Sequence, residues 1–298
     1  MQKITPNLWF AGDAAEGAEL YASTFPNARV VSTSYYPDEG LPDFQREFAG
    51  KPLTVSVEID GFRIQLINAG ASYRPNPSLS FMVNFDPSSD PDARERIDDV
   101  WAKLADGGRV LMPLGEYPFS VRYGWVEDRF GVNWQLILTD PTGEPRPFVM
   151  PAFLFSGDAQ DRAREAVDYY TSVLPDSRLG SLVEYPQQSG PAAAGAVMFA
   201  DFTLAGQWFV AMDSAAEMSE GFTPGYSLSV ECADQDEIDR LWDALSSVPE
   251  AEQCGWCVDR FGVSWQVVPE RMDELMEAPG AFQAMLEMKK LVIADLHA

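Results

Sequence analysis

The chain has few of the residues on which many common functions depend. Its 298 residues include one histidine, His297, and three cysteines, all in the second half. The scarcity of histidine leaves general acid–base catalysis and metal binding without their most frequent side chain. Three cysteines are too few for a disulfide framework, so we predict reduced thiols and a location in the reducing cytoplasm.

Positive charge is also scarce. The chain has 21 Lys and Arg against 46 Asp and Glu, which gives a formal net charge of −25. Such a charge repels nucleic acids and anionic membrane surfaces. No run of about 18 apolar residues could form a membrane-spanning helix, and the first residues resemble a strand rather than a signal peptide. We therefore expect neither a nucleic acid nor a membrane as partner.

What the sequence does contain is a repeated phrase. "YGWVEDRFGVNWQLI" begins at Tyr123 and "CGWCVDRFGVSWQVV" begins at Cys254, with nine of the fourteen residues from the glycine onward identical. The first copy has Tyr123 and Val126 where the second has Cys254 and Cys257, so the thiols lie outside the shared frame. Two strand residues three apart are separated by about 10 Å, beyond the roughly 7 Å limit for a disulfide. The Asp-Arg pair of each copy is predicted to form a tight turn with an exposed ion pair.

The repeat extends over most of the chain. "FAGDAAEGAELYASTFPNARV" matches "FSGDAQDRAREAVDYYTSVLPDSRL", and "VEIDGFRIQLINAG" matches "FTLAGQWFVAMDSA". Each copy reads as strand, helix and three strands, followed by a second unit of the same kind, and the proline-rich "PTGEPRP" separates the copies. We predict an α+β fold of paired βαβββ units, with modules at 1–140 and 148–270 and a helical tail at 271–298.

These motifs, with "DQDEIDRLWDAL" and the tail "AMLEMKKLVIADL", resemble the PhnB-like branch of the vicinal oxygen chelate superfamily. That superfamily includes glyoxalase I and bleomycin-resistance proteins, and the branch is often labelled 3-demethylubiquinone 3-methyltransferase. The resemblance implies curved mixed sheets and a divalent metal held by His, Glu or Gln. At those positions this chain has Gln135 or Gln266 instead of Glu, and Ser78 or Gly225 instead of His. Because neutral amides and hydroxyls bind transition metals poorly, we expect no metal and no other cofactor.

The resemblance also implies a concave cavity on one face of the last strand of each module. A Gln amide in such a cavity needs a partner, since an unpaired one costs about 1–3 kcal/mol; a ligand and a neighbouring backbone group both remain open. Trp125 and Trp256 could stack on a ligand or pack in the core. Asp213 is expected to favour a cationic ligand. The predicted pocket residues are Asn68, Ser78, Trp125, Asn133 and Gln135 in the first module and Asp213, Trp256, Ser264 and Gln266 in the second. None is predicted to be catalytic.

Three functions remain open from the sequence. We favour a metal-independent protein that binds a small molecule, with an enzyme of the same superfamily and a scaffold with decayed sites as alternatives. A methyltransferase would need a glycine-rich strand-to-helix turn for its methyl donor, and the chain has no such turn. Four βαβββ units equal what glyoxalase-like homodimers assemble from two chains. We therefore expect the modules to pair within the chain, with a homodimer as a further alternative.

Overall fold

The computed structural model describes residues 2–41, 43–218 and 220–297. The elements of the first module are β1 (Ile4–Phe10), α1 (Ala14–Thr24), β2 (Ala28–Tyr35), β3 (Pro52–Ile59), β4 (Phe62–Asn68), β5 (Leu79–Phe85), α2 (Ala93–Ala105), β6 (Arg109–Tyr117), β7 (Ser120–Glu127) and β8 (Asn133–Leu138). Those of the second are β9 (Val149–Phe155), α3 (Ala163–Val173), β10 (Arg178–Glu184), β11 (Val197–Leu204), β12 (Gln207–Asp213), β13 (Tyr226–Cys232), α4 (Gln235–Leu245), β14 (Trp256–Val258) and β15 (Ser264–Pro269). The tail contains α5 (Met272–Leu275) and α6 (Ala281–Glu287).

The strands form two curved mixed sheets, and each sheet takes strands from both modules. The seven-stranded sheet has the order β14-β15-β13-β1-β4-β3-β2, and the eight-stranded sheet has the order β10-β11-β12-β9-β5-β8-β7-β6. The modules join through the antiparallel pairs β1–β13 and β5–β9. The predicted α+β fold with two tandem modules is confirmed.

The helices cover one face of each sheet, with α1 and α4 on the seven-stranded sheet and α2 and α3 on the eight-stranded sheet. Because strand side chains alternate between faces, Trp134 and Leu136 of β8 point into the helix-covered core, where both are fully buried. Asn133 and Gln135 lie on the opposite face. We call the face turned away from α1–α4 the inner face of each sheet. In the part of the chain that the structure describes, no helix is both long and apolar enough to cross a membrane.

The second module departs from the repeat near its end. Strand β14 has three residues where β7 has eight, and a short 3₁₀ turn at Pro249–Ala251 lies where the repeat predicts a further strand. Cys254 adopts a turn conformation with φ of +53°. The backbone N–H groups of Cys254 and Gly255 donate to the carbonyls of Met288 and Lys289, both at 2.7 Å. The last βαβββ unit of the predicted fold therefore lacks one strand, and the tail supplies backbone hydrogen-bond acceptors to the residues just before β14.

Candidate functional site

The inner face of the eight-stranded sheet is filled by its own side chains. Gln135 is fully buried; its Oε1 accepts a hydrogen bond from the Tyr123 hydroxyl at 2.7 Å, and its Nε2 donates to Ser80 Oγ at 2.8 Å. Apolar side chains pack around this group: Met82, Met150, Ala152 and Val210, with Ile137, Phe199, Trp208 and Met212 against them. The partners of Gln135 are thus neighbouring side chains, and neither a ligand nor a backbone group is needed to satisfy it.

Trp125 and Asn133, two of the predicted pocket residues, also form hydrogen bonds within the chain. The indole Nε1 of Trp125 donates to Asn133 Oδ1 at 3.1 Å, and Asn133 Nδ2 donates to the Gly131 carbonyl at 3.0 Å. Ser78 is buried just before β5, where its N–H donates to Asn76 Oδ1 at 2.9 Å. These predicted pocket residues of the first module therefore make intramolecular contacts.

The seven-stranded sheet repeats the Gln–Ser hydrogen bond but not the hydrogen bond from a tyrosine. Gln266 Nε2 donates to Ser227 Oγ at 2.8 Å, as Gln135 does to Ser80. However, Cys254 stands at the sequence position of Tyr123 and lies in a turn, so no phenol reaches Gln266. Within the described residues the Oε1 atom of Gln266 has no hydrogen-bond partner, and it is not among the unpaired side-chain atoms that are sealed from solvent.

A line of polar side chains crosses the inner face beside Gln266. These four residues lie directly opposite one another on β13, β1, β4 and β3, and we call them the polar row: Ser227, Asn7, Gln65 and Ser56. With neighbouring strands about 4.8 Å apart, the row spans roughly 14 Å. The residues at the matching positions of the eight-stranded sheet are Ser80, Ala152, Val210 and Asp201. The centre of the row thus has two carboxamides where the other sheet has two apolar side chains.

Three residues of the polar row are buried and Gln65 is partly exposed, and the row retains free hydrogen-bonding groups. Ser227 is 1% exposed and Asn7 is 3% exposed. Asn7 Nδ2 donates to the Thr5 carbonyl at 2.9 Å, but across the described ranges Asn7 Oδ1 and both ends of the Gln65 carboxamide have no partner. None of these atoms is sealed from solvent. The row therefore presents both acceptors and donors to any molecule that lies on it.

Aromatic rings border the polar row, and we call them the aromatic group: Trp9, Tyr73 and Trp256. The Trp9 ring centroid lies 5.1 Å from that of Tyr73 and 6.3 Å from that of Trp256, both edge-to-face. Trp9 Nε1 donates to the Gly70 carbonyl at 2.7 Å. Ser264 stands where the first module has Asn133, and its shorter side chain makes no bond to Trp256; its Oγ is buried and unpaired. The Trp256 indole consequently lacks the hydrogen bond that holds Trp125.

Two predicted pocket residues, Asn68 and Asp213, lie on the helix-covered side instead. Asn68 Oδ1 accepts from the Ala14 N–H at 3.0 Å, at the start of α1. Asp213 Oδ1 accepts from the Ala163 N–H at 3.1 Å, at the start of α3, and its Oδ2 accepts from Val197 N–H at 2.8 Å. Each ends a strand that runs parallel to the strand preceding that helix, so its side chain reaches the helix amides that lack intrahelical acceptors. The prediction that they face a pocket is wrong, and the expectation of a cationic ligand no longer has the Asp213 carboxylate to support it.

The predicted exposed Asp-Arg ion pairs are also wrong. Asp128 is 3% exposed and accepts four hydrogen bonds, from the N–H groups of Phe130 and Val132, Trp134 Nε1 and the Tyr21 hydroxyl. Burial raises the pKa of Asp128 to about 6, although its four donors oppose the shift. Asp259 accepts the equivalent four bonds, including one from the Tyr170 hydroxyl at 2.6 Å. These carboxyls join a helix of one sheet to the last turn of the other sheet.

Sequence reasoning missed the polar row, although a signal was present. The β1 sequence "ITPNLWF" corresponds to "VMPAFLF" in β9, which sets Asn7 against Ala152 and Trp9 against Leu154. In the same way "FRIQLIN" in β4 sets Gln65 against Val210 of "QWFVAMD". Comparing inner-face positions between the modules would have located the row.

A transition metal does not fit the donors on either inner face. Among residues 2–41, 43–218 and 220–297, no group of three or more His, Cys, Asp or Glu side chains is placed to hold a metal ion. The free donors of the polar row are amides and hydroxyls, which are poor ligands for such metals.

Comparison with known proteins agrees with this duplicated architecture. The family described as 3-demethylubiquinone-9 3-methyltransferase matches residues 2–137 and 148–268, one segment in each module. The chain belongs to this family. Its two matched segments make it a tandem member, and the resemblance to this family inferred from its motifs is confirmed.

Solved structures of relatives cover one module or both. A putative 3-demethylubiquinone-9 3-methyltransferase, the PhnB protein from Bacillus cereus, is 35% identical and covers 46% of this chain and 100% of its own, with a TM-score of 0.40. Glyoxalase I from Zea mays is 13% identical and covers 92% of this chain and 95% of its own, with a TM-score of 0.54. At that identity the likeness concerns the fold alone. No curated protein is similar enough to the sequence to match.

Proposed function

We propose that the chain binds a small polar molecule on the inner face of the seven-stranded sheet, without a transition metal. The observation that carries this proposal is the contrast between two equivalent surfaces. In the eight-stranded sheet the Gln–Ser pair is completed by Tyr123 and surrounded by apolar side chains. In the seven-stranded sheet the same pair adjoins Asn7, whose Oδ1 has no partner among the described residues, and the Gln65 carboxamide, which has none at either end.

The fold itself does not require the polar row. The eight-stranded sheet is built on the same plan and places Ala152 and Val210 at its centre, where both are fully buried. A polar group that is buried without a partner costs about 1–3 kcal/mol. The unpaired atoms of Asn7 and Gln65 are not sealed from solvent, so water can complete their hydrogen bonds in the free chain. A ligand with complementary groups would take the place of that water, which explains why these positions carry carboxamides.

An enzyme is the second candidate, and Glu231 is the observation that favours it. Glu231 lies on the same face of β13 as Ser227 and Ser229, and it is half-buried. Burial raises its pKa, which is the direction expected for a general base that works near neutral pH. The reaction named by the family description would in addition require a site for a methyl donor, for which the chain has no glycine-rich turn.

The test replaces the two carboxamides of the polar row with the residues of the other sheet. Asn7→Ala and Gln65→Val introduce the side chains that Ala152 and Val210 already place at matching positions, so the fold should accept them. Wild type and the double variant are screened against a broad panel of small polar fragments by ligand-observed NMR. Gln135→Leu, which alters the closed surface, is the matched control.

We expect binding to be lost in the double variant and kept in Gln135→Leu, with urea denaturation showing that the double variant remains folded. A panel in which no fragment binds wild type, or in which the double variant binds equally well, would overturn the proposal. Elemental analysis of protein purified without chelator should find no stoichiometric transition metal. Glu231→Gln, which keeps the shape and removes the base, separates the candidates, since it should abolish turnover only if the bound molecule is a substrate.

A further inference from the structure

We infer that the ligand is an uncharged, planar molecule of the aromatic or heteroaromatic carboxamide class; this inference rests on the proposed binding site. Three features of the inner face of the seven-stranded sheet support it. They are the absence of charge in the polar row, the hydrogen-bonding capacity of its carboxamides, and the aromatic group at its border.

The polar row contains no ionisable side chain, and its members Ser227 and Asn7 are almost completely buried. An ion placed there would lose its hydration without gaining a counter-charge, which costs far more than burying a neutral polar group that is hydrogen-bonded. The charged side chains of this face lie further along the strands. Glu58 is paired with Arg29 at 2.7 Å and stands opposite Arg63, and the charge of Arg63 also acts on Glu231. These acidic and basic side chains therefore already neutralise one another.

The free groups of the polar row, and of Gln266 beside it, match both the donor and the acceptor of a carboxamide. Asn7 Oδ1 and Gln266 Oε1 can only accept, so they require N–H or O–H donors on the ligand. Gln65 has a free amino group and a free carbonyl, so it can pair with a ligand that donates and accepts at adjacent atoms. A carboxylate has no donors and an amidinium has no acceptors. A carboxamide satisfies both requirements without a charge.

The aromatic group lies close enough to receive the flat part of such a molecule. Trp9 is two residues beyond Asn7 on the same face of β1, and Trp256 stands opposite Gln266 in the β14–β15 pair. Trp9 packs edge-to-face with both neighbours, and aromatic rings in this geometry attract one another, as they would attract the ring of a planar ligand. Within the described residues the Trp256 indole N–H has no hydrogen-bond partner and is not sealed from solvent, so it is available to donate to a ligand. The eight-stranded sheet has Leu154 in place of Trp9, which offers no stacking surface.

Four small probes of nearly equal size separate these features. Benzamide is neutral and planar, benzoate is its anionic analogue, benzamidine is its cationic analogue, and cyclohexanecarboxamide keeps the amide without a planar ring. Each is titrated into the full chain at about pH 7 by NMR. We expect benzamide to bind at least tenfold more tightly than either ion and several-fold more tightly than cyclohexanecarboxamide.

Two variants then assign the contacts. Trp9→Leu, which adopts the residue of the other sheet, should weaken benzamide and leave cyclohexanecarboxamide almost unchanged, while Gln65→Val should weaken both. A preference for benzoate or benzamidine, equal affinity for the two amides, or binding of none of the four would overturn the inference. The proposed function is judged separately by the wider panel. A charged or non-planar fragment that binds wild type and is lost in the Asn7→Ala, Gln65→Val variant would refute the ligand class while supporting the site.

Discussion

Replacing Tyr21 with phenylalanine removes one oxygen from a buried hydrogen-bond network and changes little else. The Tyr21 hydroxyl donates to Asp128 Oδ2 at 2.8 Å, and its ring packs edge-on against Trp134 with centroids 5.1 Å apart. Phenylalanine keeps the ring and its packing. A hydrogen bond to a charged acceptor contributes about 1.5–3 kcal/mol to stability. We expect the free energy of unfolding to fall by about that amount at a pH where Asp128 is ionised.

The penalty should depend on pH, because burial raises the pKa of Asp128 to about 6. With a folded pKa above the unfolded value, the folded chain keeps this proton after the unfolded chain has released it. The contribution of Asp128 to stability is therefore present at low pH and is lost as the pH rises from about 4 through 6. The Tyr21 hydroxyl stabilises the ionised form, so its removal costs most above pH 6 and less near pH 5.

Urea denaturation of wild type and Tyr21→Phe at about pH 5 and about pH 8 measures this difference. The other carboxyls titrate alike in the two proteins, so their effect cancels in the difference between the two free energies of unfolding. Tyr170→Phe should behave alike, since Tyr170 donates to the equivalent buried Asp259. Tyr123→Phe is the control, because its hydroxyl bonds to the neutral amide of Gln135 and its penalty should not change with pH. Equal penalties for Tyr21→Phe at both pH values would refute the reasoning.

Three further changes test other parts of the structure. Asn68→Ala and Asp213→Ala should each lower the free energy of unfolding by about 1 kcal/mol. Hydrogen exchange should become faster in the first turn of α1 for Asn68→Ala and in the first turn of α3 for Asp213→Ala. Unchanged exchange there would contradict their role at the helix starts. Leu291→Ala in the tail should cost about 2–5 kcal/mol, because Leu291 is fully buried, and a loss well below this range by urea denaturation would mean that the tail is not firmly docked. A thiol reagent at about pH 8 should label Cys254 before Cys257. Burial raises the pKa of the Cys257 thiol to about 12, whereas Cys254 is only partly buried. Faster labelling of Cys257 would contradict this.

The repeated motifs determine the fold class and the tandem organisation because they are local properties of the chain. Helical spacing, turn residues and the two-residue alternation of strands act over a few residues, so they can be read without knowing what lies nearby in space. The alternation in β8 correctly separates Trp134 from Gln135. It does so for any arrangement of the other strands.

Only the tertiary structure decided what each polar side chain meets. The partner of Gln135 is Tyr123 on the neighbouring strand, and Asn68 turns to the start of α1 because β4 runs beside β1. The polar row brings together Ser227 and Asn7, which are 220 positions apart in the sequence and paired across the two modules. Alternation assigns a side chain to a face, but its neighbours on that face come from strands that are distant in sequence. Which of these strands pair, and in what register, depends on burying the whole apolar surface at once, and no local pattern encodes that outcome.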